Sequence, residues 1–129
     1  MLSRKDFFHR IGYTVTDMAT LQDYRDERLR KLDDLRAIGI NPYPAESNRS
    51  HDASTIVQAF DELEGQKVTV AGRIVGLRKF GKLAFIVLKD ASGQIQLFLK
   101  AGDVADLSVV DGYLGMKELP LLDTGDFLE

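Results

Sequence analysis

The chain has 129 residues, 44% of them hydrophobic and 29% charged, and no cysteine. That is one domain's length with apolar material for a single core, and it excludes a disulfide scaffold, a cysteine-ligated metal site and a thiol nucleophile. No run of about 18 apolar residues encodes a transmembrane helix, and charges at Arg4, Lys5, Asp6 and Arg10 break up the start where a secretory signal would need an apolar stretch. The net charge of −3 is unevenly spread: residues 1–65 carry −3, residues 66–100 carry +6 and residues 101–129 carry −6. The basic block sets Lys67, Arg73, Arg78, Lys79, Lys82, Lys89 and Lys100 against Asp90 alone. A pI near 5.4 speaks against a nonspecific nucleic-acid coat, while a local basic block allows a polyanion site on one element. The absence of cysteine and of a targeting segment fits a cytoplasmic protein.

Residues 1–19 show no usable period and stay an unassigned extension, with Met18-Ala19 offering an alternative start. Residues 20–66 read as a helical segment. Thr20 is an N-cap with Asp23 as its capping-box partner. Leu21, Tyr24, Arg28, Leu32 and Leu35 then fall on one helical face, widened by Leu29 and Ile38. Asp26–Arg30 and Glu27–Lys31 are expected as i,i+4 pairs. Gly39, Pro42 and Pro44 end this helix, placed at 20–38. Asn41-Pro42-Tyr43-Pro44 is a stiff connector. A second helix is expected over 54–63, burying Ile56, Val57, Phe60 and Leu63, with Gly65 ending it.

From Lys67 the period becomes 2. Val68, Val70 and Ile74 alternate with Thr69, Ala71 and Arg73, and the run contains Gly72 and Gly76, residues that a strand tolerates where it bends or bulges. Lys79 to Lys82 reads as a turn, Leu83–Lys89 as a second strand, Asp90 to Gly93 as a turn and Gln94–Lys100 as a third strand. The meander suggests a strongly coiled sheet on the way to a small barrel. Residues 101–126 are acidic and irregular, with a short helix near 116–123. Phe127 to Glu129 looks like the opening of a fourth strand, which would leave an open sheet edge.

Alternation puts Ile95, Leu97 and Leu99 on one face of the third strand, and Gln94, Gln96, Phe98 and Lys100 on the other. In the second strand Phe85 shares its side with Lys89. One sheet face therefore presents Arg73, Phe85, Gln96 and Phe98, with Arg78, Lys79 and Lys82 around the rim. Chemically this is a single-stranded nucleic-acid platform: aromatics stack bases, amides read base edges and cations hold phosphates. The plain alternative is that Phe85 packs against another element, and that the basic block is a solvated surface. Other chemistry is thin. Gly81-Lys82 lacks the pattern of a phosphate loop, and His9 and His51 stand alone.

Four blocks, in order, resemble class II lysyl-tRNA synthetases. The first is Arg28-Leu29-x-Lys31-Leu32-x-x-Leu35-Arg36-x-x-Gly39-x-x-Pro42-Tyr43-Pro44. The second is Val70-Ala71-Gly72-Arg73-Ile74, followed by Arg78-x-Phe80-Gly81-Lys82-Leu83-Ala84-Phe85. The third is Leu88-x-Asp90-x-x-Gly93-x-Ile95-Gln96-Leu97, and the fourth Leu122-Asp123-x-Gly125-Asp126-Phe127. The resemblance implies a mainly β chain with amino-terminal helices. Over 67–129 it implies an OB-fold anticodon-binding domain, a five-stranded Greek-key barrel in the family, here without most of strand four and without strand five. It implies that the central anticodon uridine stacks on Phe85 and bonds Gln96, that Arg73 and Arg78 contact the anticodon loop, and that Lys82, Phe98 and Lys79 support them. The implied partner is a lysine tRNA, with a homodimer in the full-length enzyme and no membrane. ATP and Mg2+ belong to a catalytic domain that this chain lacks, so no cofactor, metal or catalytic residue is expected here, and the chain is expected to be an inactive, truncated portion. Two rival readings stay open: a general single-strand-binding OB module, and a dimerisation or interaction fragment.

Overall fold

The computed structural model of the protein describes residues 19–104 and 113–129; the extension at 1–18 and the acidic stretch at 105–112 lie outside the described residues. Thr20 caps the first helix, α1 (Leu21–Ala37). Its hydroxyl accepts from the Asp23 amide, while the Asp23 carboxylate accepts from the Thr20 amide, so two orphan donors are satisfied reciprocally. The helix stops where Gly39 turns left-handed at φ 85°, with the Ile40 amide donating to Leu35 and the Gly39 amide to Arg36.

The apolar stripe expected on α1 is covered only towards its carboxyl end: Leu32, Leu35 and Ile38 are half-buried, while Leu21 is 89% and Tyr24 64% exposed. The helix also docks by charge. Arg28 donates to Asp123 at 3.0 Å and to Asp126, and Lys31 donates to Asp123 at 2.7 Å. These carboxylates lie in the turn before the last strand, so α1 is held against a polar loop and its amino-terminal half overhangs. The pairs expected at Asp26–Arg30 and Glu27–Lys31 give way to other partners. Lys31 is taken by Asp123, and Arg30 bonds Glu27 and Asp34.

The single helix expected over 54–63 is two short pieces, α2 (Ala53–Gln58) and α3 (Phe60–Leu63), broken at Ala59. Of the expected stripe Ile56 is buried, but Val57 and Phe60 are exposed. Only the first turn of α2 is bolted to the sheet. The Asp90 carboxylate accepts from the Ala53 amide at 2.8 Å, and Ser92 Oγ accepts from the Ser54 amide at 3.0 Å.

Four antiparallel strands, β1 (Gly72–Phe80), β2 (Leu83–Lys89), β3 (Gln94–Lys100) and β4 (Phe127–Leu128), lie in the order β3–β2–β1–β4. The first strand begins at Gly72 rather than Lys67, because the backbone before it has another partner. The Thr69 carbonyl accepts from the Ser50 and His51 amides, and the Thr69 amide donates to Ser50 Oγ at 2.8 Å. At its far end β1 runs on through Phe80, and the hairpin turn is Gly81-Lys82 alone, with Gly81 at φ 57°. The fourth strand opens at Phe127 as expected and pairs with the start of β1, Gly72 opposite Leu128 and Arg73 opposite Phe127.

The inner sheet face supplies Ile74, Ala84, Ile86 and Leu88 to the core, and the connection into β4 adds Leu119 and Leu122. Where a helix was expected near 116–123 there is one 3-10 turn, Leu119–Leu121, which holds Pro120 at its start. Among the described residues no helix is long and apolar enough to cross a membrane.

Candidate nucleic-acid interface

The outer sheet face is built by one irregularity in β1. Arg73 faces Lys89 and Ile74 faces Leu88, but the next pair is Gly76 with Val87, so Val75 is an extra residue. A strand shows alternate residues to alternate faces. Without the bulge Arg73 and Arg78, an odd number of positions apart, would point oppositely. With it, Arg78 lies opposite Phe85 and shares the outer face with Arg73. Gly72 allows the tight crossing beside it, since a Cβ there would stand 2.8 Å from the Lys89 carbonyl oxygen.

Across the face, Arg78, Phe85 and Phe98 form one row and Gly76, Val87 and Gln96 the next. The Phe85 and Phe98 rings lie 5.2 Å apart, tilted by 41°, and Phe80 meets Phe85 edge-on at 6.3 Å. Arg78, Phe80, Phe85 and Gln96, with Val75, Gly76, Val87 and Gln94, line a half-open trough of about 550 Å³. The Arg73 guanidinium lies 4.7 Å from the centre of the Phe127 ring.

The structure thus brings together Arg78, Phe85, Gln96 and Phe98, with Arg73 one end further along the same face. Lys82 is exposed in the hairpin turn at the trough's rim. Lys79 is not brought in. It pairs with Ala84, whose side chain is in the core, so Lys79 leaves from the opposite face. Phe80, Gln94 and Phe127 join these residues on the face. Phe80 falls within the turn expected at Lys79 to Lys82, but it has the phase of Arg78, and Gln94 has the phase of Gln96, so alternation carries a signal for both. Phe127 had none, because its place depends on which strand β4 joins.

Electrostatically the face is one-sided. Among the described residues, Arg73, Arg78, Lys82, Lys89 and Lys100 of this face form no ion pair, while Arg28, Arg30, Lys31 and Arg36 of α1 do. The shifted carboxyls sit elsewhere. The Ser92 hydroxyl, then the Ala53, Ser92 and Gly93 amides, hold Asp90 well below the usual carboxylate range. Hydrogen bonds from Ser47 and the Asn48 amide lower Glu129. Both donor sets tie loops to the sheet ends, so these acids act as staples.

Residues 68–128 match the family described as the OB-fold nucleic acid binding domain. The lysine–tRNA ligase of Roseiflexus sp. (strain RS-1) is 48% identical over 89 residues, 67% of this chain and 18% of that protein. That of Roseiflexus castenholzii is 49% identical over the same length. That of Clostridium acetobutylicum is 35% identical over 125 residues, 96% of this chain and 23% of the ligase. The chain spans about a fifth of the length of the relatives it matches. The chain is thus similar to the amino-terminal, OB-fold anticodon-binding region of the lysyl-tRNA synthetases.

Proposed function

We propose that the outer face reads the anticodon loop of a lysine tRNA, on behalf of a longer ligase that attaches lysine to that tRNA. The observation that carries this is the Phe85–Phe98 ring pair, with Gln96 and Arg78 beside it in a trough free of carboxylate pairing among the described residues. A splayed base stacks on Phe85. The Gln96 amide offers a donor and an acceptor, as the edge of uridine requires. Arg78 and Lys82 hold loop phosphates, and Arg73 contacts the loop from the β4 end of the face. Phe98 keeps the Phe85 ring in place. On this proposal the chain works in the cytoplasm, and ATP and Mg2+ serve a catalytic domain beyond these residues. Homodimerisation belongs to the longer protein, to which the exposed Leu21 and Tyr24 of α1 offer apolar surface.

The test is a competition between a stem-loop carrying a UUU anticodon and an unrelated single-stranded oligonucleotide. The stem-loop should win, and Gln96→Ala should narrow its advantage by the worth of one hydrogen bond, about 0.5–1.5 kcal/mol. Equal affinity for the two RNAs would replace this reading with the general single-strand binder.

A further inference from the structure

Phe127 lies on the outer face but outside the trough. It is 74% exposed, so it is not held there by burial. Its ladder partner is Arg73, whose guanidinium lies over the Phe127 ring at 4.7 Å. Arg73 in turn pairs across the sheet with Lys89. One end of the outer face thus carries a row of an aromatic and two cations, and none of these cations is ion-paired among the described residues. An arginine guanidinium is a planar, positively charged group, and bases stack on such planes. Lys89 and Phe85 are four residues apart on β2, roughly 13 Å along the strand. Stacked nucleotides rise by about 3.4 Å. A base resting on Phe85 therefore cannot also reach Phe127.

We propose that Arg73 and Phe127 form a second stacking station, which takes a different base of the same single strand from the one on Phe85. This deepens the anticodon-loop reading and rests on it. The strand runs along the outer face from the hairpin end to the β4 edge. Arg73 meets the base with its guanidinium plane, and Phe127 is the residue that positions that plane.

The test uses the 129-residue chain and a UUU-anticodon stem-loop carrying 2-aminopurine at each loop position in turn. The variants are Phe127→Leu, Phe127→Tyr, Arg73→Lys and Phe85→Leu. Phe127→Leu should abolish the fluorescence change at one loop position, and Phe85→Leu at another. Phe127→Leu should also weaken binding about fivefold or more, the low end for loss of one stacked base, with an unaltered salt slope because no charge is removed. Phe127→Tyr should restore both readouts. Arg73→Lys keeps the charge but loses the plane, so it should copy Phe127→Leu, and it carries the test if the leucine variant melts early. If Phe127→Leu and Arg73→Lys leave affinity and every fluorescence signal as in the parent chain, the second station is refuted while the Phe85 site stands. If both Phe variants silence the same position, there is one station, not two. If the parent chain binds no stem-loop, both readings fall.

Discussion

Replacing Phe85 separates stacking from packing. Its ring is half-buried, 5.2 Å from Phe98 and 6.3 Å from Phe80. Each aromatic pair contributes about 0.5–1.5 kcal/mol beyond area burial, so Phe85→Ala should cost the fold at least about 1–3 kcal/mol, since it loses both pairs and their apolar burial. It should also weaken binding of the anticodon stem-loop by about 1–3 kcal/mol, or roughly 5- to 150-fold. The two losses are told apart by Phe85→Leu, which keeps apolar contact with Phe80 and Phe98 but has no π face. The leucine variant loses the aromatic pairs but keeps apolar burial, so it should melt above the alanine variant while binding RNA nearly as poorly. The assay is fluorescence anisotropy of a labelled stem-loop, at a temperature where thermal melts show all three proteins folded. A binding loss below a few tenths of a kcal/mol for folded Phe85→Leu would remove Phe85 from the site and return it to ordinary packing.

Lys82→Ala should act through the phosphates, lowering the slope of log affinity against log salt by about one; an unchanged slope would make Lys82 a bystander. Gly72→Ala should destabilise by about 1–3 kcal/mol, because the new Cβ meets the Lys89 carbonyl oxygen at 2.8 Å and backbone cannot swing away; an unchanged melting temperature would mean that β1 and β2 separate there at no cost. Asp90 has a depressed pKa, so its contribution to stability is present above its ordinary value of 3.8 and lost as pH falls through the lower folded value. The urea midpoint should therefore fall on acidification below about pH 4, and Asp90→Asn should flatten that fall; identical pH profiles would remove Asp90 as a staple. Asp123→Asn should loosen α1, whose Arg28 and Lys31 both reach that carboxylate, by about 1 kcal/mol or less since the pairs are partly exposed; hydrogen exchange over Leu21–Ala37 faster than in the parent chain is the expected result, and unchanged exchange would mean that another contact holds the helix.

Local chemistry by itself determined much of this protein. The Thr20–Asp23 box, the Gly39 stop and the alternation in β2 and β3 involve residues a few positions apart, so each was legible in the sequence. The same alternation put Phe85, Gln96 and Phe98 on one face, and the order of four motif blocks pointed to the family. Tertiary structure decided what depends on distant partners. Arg28 and Lys31 looked like parts of an amphipathic helix, but Asp123 and Asp126, nearly a hundred residues on, turn them into a polar dock. Thr69 had the period of a strand, but Ser50 and His51 occupy its backbone. Arg73 and Arg78 share a face only because Val75 bulges out of register with β2. Phe127 joins Arg73 only because β4 closes on β1. A period shows which residues lie on one side of an element, but the partner across the ladder sets where that side points.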